Sequence, residues 1–190
     1  MSHTSILQFR TANCKNCYKC IRNCPVKAIR VTNQQAQIIE EQCILCEKCI
    51  AVCPQHAKVE HDDIPAIQRV IASGKKVIAS VHPAYLARYG WNSIGDLEKY
   101  LQKMGFWKAF DAAQGAAVMK EEYTRLLREQ QQKKLVVSSN CPVVVRLIET
   151  KYPHLTEYLA PVYSMKQMHA AYLRELQVTY LYPVFTEFGI

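Results

Sequence analysis

The stretch Cys14-Lys15-Asn16-Cys17-Tyr18-Lys19-Cys20-Ile21-Arg22-Asn23-Cys24-Pro25 packs four thiols into eleven residues and closes on a proline. A second run follows, Cys43-Ile44-Leu45-Cys46-Glu47-Lys48-Cys49-Ile50-Ala51-Val52-Cys53-Pro54. Both read C-x2-C-x2-C-x3-C-P. The match extends outward, with Val26-Lys27-Ala28-Ile29-Arg30-Val31 aligned on Gln55-His56-Ala57-Lys58-Val59-Glu60. A duplication of this length predicts a pseudo-symmetric pair of half-modules rather than a solenoid. These runs hold eight of the nine cysteines, and Cys141 is the ninth. Met1 to Arg10 lacks the apolar core of a secretory signal, so a cytoplasmic chain is expected and clustered thiols point to metal.

The spacing narrows the metal. A cysteine every third residue lets one loop wrap three iron corners of a cubane, each needing a soft thiolate. The fourth ligand must come from elsewhere, and in runs of this form the fourth cysteine serves the other cluster. Cys14, Cys17, Cys20 and Cys53 are expected to hold one 4Fe–4S cluster. Cys43, Cys46, Cys49 and Cys24 are expected to hold the second. The prolines after Cys24 and Cys53 fix φ and help the chain turn away from the ligand. Zinc is one alternative, but it uses two CxxC pairs and has no need of a third cysteine three residues on. Disulfides are another and need an oxidising compartment.

Around these runs a short helix is expected after Cys20. A hairpin is expected between Ala28–Thr32 and Ala36–Ile39, around the polar turn Asn33-Gln34-Gln35. Residues 1–60 resemble a bacterial two-cluster ferredoxin over nearly their whole length. The resemblance implies two clusters close enough to exchange single electrons.

From residue 61 onward the cysteine pattern stops. Helices are expected over Pro65–Ala72, Ser93–Met104, Ala112–Gln132, Val143–Lys151 and Lys166–Leu176. Strands are expected over Lys76–His82, Gly105–Phe110, Lys134–Ser138 and Val178–Tyr182. Alternating strands and helices predict a mostly parallel α/β sheet, whose function gathers at strand carboxyl ends. Ser138-Ser139-Asn140-Cys141-Pro142 lies at such an end. His82 and His169 read as structural histidines, and Trp91, Trp107 and the tyrosines as packing. The 6 glycines are unclustered, so no phosphate-cradling loop is expected.

This second part resembles the C-terminal domain of the FeFe-hydrogenase large subunit. The matching stretches are Lys75 to Pro83, Glu122-Tyr123, Ser138 to Pro142, Tyr152-Pro153-His154-Leu155 and Leu159 to Met165. The expected architecture is an α+β ferredoxin-like dicluster module (1–60) followed by a partial α/β hydrogenase-like domain (61–190). In that family the strand-to-helix motif is Thr/Ser-Ser-Cys-Cys-Pro. Its second cysteine binds the cubane of the hydrogen-activating cluster and its first relays protons. Cys141 matches the ligand, which implies a partial site for a third cubane. Asn140 stands where the relaying thiol belongs, and an amide is a poor proton shuttle. Val184 stands where a later Pro-Cys motif carries its cysteine. With eight thiols assigned, one is left for a cubane that wants four. The chain therefore reads as a truncated fragment, inactive as a hydrogenase by its own thiols, with an active or sensory hydrogenase as the alternative for a full-length form.

Composition fits this division. The chain has 190 residues, is 49% hydrophobic, and carries a formal net charge of +8. No apolar run has membrane-spanning length. The positive charge is spread evenly and forms no long basic run, so nucleic acid is not expected as a partner. A redox protein with an acidic surface, or the remainder of a hydrogenase-like domain, is.

Overall fold

The computed structural model describes residues 6–90, 93–129, 135–175 and 181–182. Trp91, residues 130–132 of the expected helix, Lys134, Leu176, residues 178–180 of the last expected strand and Val184 lie outside the described residues. Contacts divide the chain into two compact units, Met1–Asp62 with Cys141–Glu157, and Asp63–Asn140 with Tyr158–Ile190.

The first unit opens with β1 (Leu7–Phe9), α1 (Lys19–Asn23), β2 (Ile29–Thr32), β3 (Gln35–Ile38), α2 (Lys48–Ala51) and β4 (Lys58–Glu60). β2 and β3 form the expected hairpin, with Thr32 opposite Gln35. Its turn is one residue tighter than expected: Asn33 and Gln34 carry φ of 50° and 56°. That left-handed pair matches the twist of the flanking strands. β1 was not anticipated from the sequence; it pairs antiparallel with β4, setting Phe9 opposite Lys58. Three residues are too few to display a period.

The second unit is an α/β layer structure. Its elements are α3 (Ile64–Ala72), β5 (Ile78–Val81), α4 (Tyr85–Tyr89), α5 (Ile94–Lys103), β6 (Lys108–Asp111) and α6 (Ala113–Glu129). The chain then supplies α7 (Pro142–Lys151) to the first unit, and returns with α8 (Met165–Glu175) and β7 (Leu181–Tyr182). The strands run in the order β6-β5-β7, with both pairings parallel. β5 is buried at every position, as befits a central parallel strand covered on both faces. Val77, Ala79 and Val81 pack with Ile67, Val70 and Ile71 of α3 and Ile94, Leu97 and Leu101 of α5. Ser80 points the other way, its hydroxyl 2.7 Å from Nδ1 of His169 on α8. Ser93 caps α5, accepting the Asp96 N–H at 3.3 Å.

The strand expected over residues 134–138 is not formed among the described residues. Only a single parallel bridge, Val137 to Leu159, remains. Val137 still donates to the Tyr158 carbonyl and accepts from the Ala160 N–H, but the N–H groups of Ser139 and Asn140 turn to side chains. The Ser139 N–H donates to Tyr123 Oη at 3.1 Å, and the Asn140 N–H to Ser138 Oγ at 3.3 Å. No helix among the described residues is long and apolar enough to cross a membrane.

Candidate functional site

The duplicated cysteine runs fold alike. α1 and α2 begin one residue before Cys20 and Cys49, and both of these thiols are buried. Asn16, Tyr18 and Lys27 have positive φ, as do their repeat partners Leu45, Glu47 and His56. Such a left-handed non-glycine residue costs on the order of 1 kcal/mol and persists where surroundings over-determine it. Here the curl between successive cysteines turns thiols and N–H groups toward a common interior. Ala28 donates its N–H to Cys24 Sγ at 3.2 Å, and Ala57 donates to Cys53 Sγ at 3.4 Å. Leu45 donates to Cys43 Sγ at 3.4 Å. These N–H groups point at the same sulfurs that line the interior.

Two cavities result. The first is lined by Cys14, Cys17, Cys20 and Cys53, with Ala36, Ala57 and Lys58. The second is lined by Cys24, Cys43, Cys46 and Cys49, with Leu7, Ala28 and Ile29. In each, three cysteines come from one run and the fourth from the other. Among the described residues, no three His, Cys, Asp or Glu are spaced to hold a single metal ion. Thiols around a shared cavity, but too widely spread for one ion, fit a multi-iron cluster better than zinc. Burial pushes the Cys49 thiol up to about 11, and raises Cys43 as well. Cys14 moves down, chiefly through the backbone of Ala36, with a smaller contribution from Lys58.

The Arg146 side chain of α7 hydrogen-bonds within this unit. The Arg146 guanidinium donates to the Glu40 carbonyl at 2.7 Å and also to the Cys43 carbonyl. It thereby clasps the loop that leads into the second cysteine run.

The Ser138–Cys141 loop is tied tightly. Tyr123 Oη lies 2.9 Å from Ser138 Oγ. Burial alone would raise the Tyr123 phenol, but hydrogen bonds from Ser138 and Ser139 outweigh it and bring it down. Ser139 Oγ donates to the Val162 carbonyl. Asn140 Oδ1 accepts the Met165 N–H at 3.0 Å, holding the first turn of α8. Cys141 is exposed and precedes Pro142, the first residue of α7. The stretches around Tyr123, Ser138 and Val162–Met165, far apart in sequence, thus meet at one loop.

Residues 75–185, more than half of the chain, match the family described as iron only hydrogenase large subunit, C-terminal domain. The chain belongs to this family. Residues 13–57 match the 4Fe-4S dicluster domain, so this member of the hydrogenase family carries an iron–sulfur module. The NADP-reducing hydrogenase subunit HndD of Solidesulfovibrio fructosivorans is 27% identical over 155 residues, 72% of this chain and 26% of that protein. A subunit of the ion-translocating oxidoreductase complex of Methanosarcina acetivorans is 50% identical over 44 residues, 23% of this chain and 17% of that protein. The thiosulfate reductase electron transfer subunit PhsB of Salmonella typhi is 24% identical over 120 residues, 57% of this chain and 62% of that protein. The chain thus spans between 17% and 62% of the length of these relatives.

Three site features of this family member escaped sequence reasoning. Lys58 is buried beside thiols, and its signal was the mismatch with Ile29 across the repeat. Arg146 reaches back across the chain to carbonyls near Cys43, which no local pattern announces. Asn140 serves as a helix-start acceptor, legible only once α8 is placed.

Proposed function

We propose that this chain is an electron-transfer protein. Its residues 1–60 hold two 4Fe–4S clusters and precede, in sequence, a hydrogenase-like domain over residues 61–190. Cys14, Cys17, Cys20 and Cys53 hold one cluster; Cys24, Cys43, Cys46 and Cys49 hold the other. The observation that carries this is the crossed lining of the two cavities. When bound, such clusters accept and release single electrons. The chain's own residues do the rest. Ala28 and Ala57 donate N–H groups to cysteine sulfur, and Ile29, Ile44 and Leu7 give the second cavity an apolar wall. The relatives' names, an electron transfer subunit among them, support the same role here. A one-electron protein partner with an acidic surface suits the net charge of +8.

The test is anaerobic reconstitution with iron and sulfide. About eight irons per chain and a broad visible absorbance that bleaches on reduction are expected. Cys14→Ala and Cys53→Ala should abolish the same electron-paramagnetic signal, and Cys24→Ala and Cys43→Ala the other. Failure to load iron sinks the proposal. A Cys53→Ala variant that loses the Cys43-dependent signal sinks the crossed assignment.

Cys141 is proposed as a partial site for a third cubane, supported by its exposed thiol in the loop that enters α7. With Asn140 committed to α8, no proton relay is proposed there, and the chain alone is expected to evolve no hydrogen from reduced viologen.

A further inference from the structure

The two halves of the cysteine repeat differ at one buried position. Ala28 and Ala57 correspond, and both are buried. The next residues correspond too, yet one is Ile29, 7% exposed, and the other is Lys58, 2% exposed. Ile29 lines the cavity of Cys24, Cys43, Cys46 and Cys49, while Lys58 lines that of Cys14, Cys17, Cys20 and Cys53. The repeat therefore places an alkyl group beside one set of thiols and an ammonium beside the other.

The ammonium has few other attachments. Its Nζ lies 3.4 Å from the Ala36 carbonyl and 4.6 Å from the centre of the Phe9 ring. Among the described residues no carboxylate pairs with it. A buried lysine is costly unless a negative charge faces it. Four thiolates around an iron–sulfide core supply that charge.

We propose that Lys58 is a fixed counter-charge that sets the Cys14/Cys17/Cys20/Cys53 cluster at the higher reduction potential of the two. Reduction adds one negative charge to a group already anionic, and a cation held in low dielectric stabilises the reduced form more than the oxidised form. An electron delivered by an external one-electron donor to the Ile29-side cluster then passes to the Lys58-side cluster. The first returns to its oxidised state as the second gains the electron. The proposal rests on the two-cluster reading above.

The experiment is a potentiometric titration of the reconstituted full chain, followed by electron paramagnetic resonance, with dithionite as donor. Two separated one-electron waves are expected. Lys58→Met should lower the higher wave by at least tenfold in its equilibrium constant, about 59 mV for one electron. The lower wave should move less, and Lys58→Arg should keep the separation. Lys58→Gln is a second neutral variant of similar reach, expected to behave as Lys58→Met. A single wave in the unaltered chain overturns the proposal without any variant. So does a higher wave unmoved by neutral substitution, or one lowered equally by Lys58→Arg. Failure of the unaltered chain to load two clusters instead refutes the two-cluster reading.

Discussion

His169 is the clearest case of a single residue whose surroundings set its behaviour. It is fully buried on α8, bonded through Nδ1 to Ser80, and its Nε2 has no partner among the described residues. Burial lowers its pKa below the usual 6.5, and Asp111 only partly opposes this. The unfolded chain therefore binds a proton that the folded chain refuses. Stability from this residue is complete above about pH 6.5 and is lost as pH falls toward the depressed value. The thermal midpoint of the second unit should fall between about pH 7.5 and 5.5. His169→Gln, which can still meet Ser80 but cannot ionise, should flatten that slope; an equal slope in both proteins would contradict the assignment. Not every residue was so hidden. The grouping of eight thiols around two cavities could be read from sequence because their spacing is a local property. Lys58 could not, because a lysine in a three-residue strand reads as surface until β1 is found to cover it.

At the scale of elements, packing between α6 and α8 decides more than propensity does. Gly115 lies where a Cβ would sit 2.5 Å from the Met165 carbonyl oxygen and 2.6 Å from His169 Cβ. Backbone and a buried ring cannot give way cheaply. Gly115→Ala should cost about 1–3 kcal/mol despite the better helix propensity of alanine. Differential scanning calorimetry should register this as a loss of several degrees; an unchanged or raised midpoint would show that the helices can separate freely. The long helices were legible because each repeats apolar residues at helical spacing. The strand expected at Lys134–Ser138 misled for a physical reason. Leu135, Val136 and Val137 have strand character, but only Val137 finds a bridge partner, Leu159, and the hydroxyls of Tyr123 and Ser138 take the N–H groups of Ser139 and Asn140 and end the pairing there. Such competition is set by residues distant in sequence, and no window along the chain contains it.

Across the whole molecule, the two units draw their stability from different sources. The second unit has a core of Val, Leu, Ile, Phe and Tyr side chains around β5. The core of the first includes Cys20, Cys24 and Cys49 among its buried residues, with few large side chains. A core that small needs staples, and metal is the one its side chains are arranged to accept. Stripping iron anaerobically with a chelator should therefore melt the first unit and leave the second. By circular dichroism, the expected result is loss of one thermal transition with retention of most helical signal. Survival of both transitions, or loss of both, would refute this division.

The first unit is also discontinuous in sequence. Residues 63–140 are made before Cys141–Glu157, the segment that brings Arg146 back to the Glu40 and Cys43 carbonyls. On a ribosome adding roughly 5–20 residues per second, the paired thiol runs emerge several seconds before the helix that clasps them. During that interval the Glu40 and Cys43 carbonyls lack the Arg146 guanidinium that later bonds them. The order of translation thus makes this clasp a late addition to a thiol-rich unit whose other segment is already synthesised.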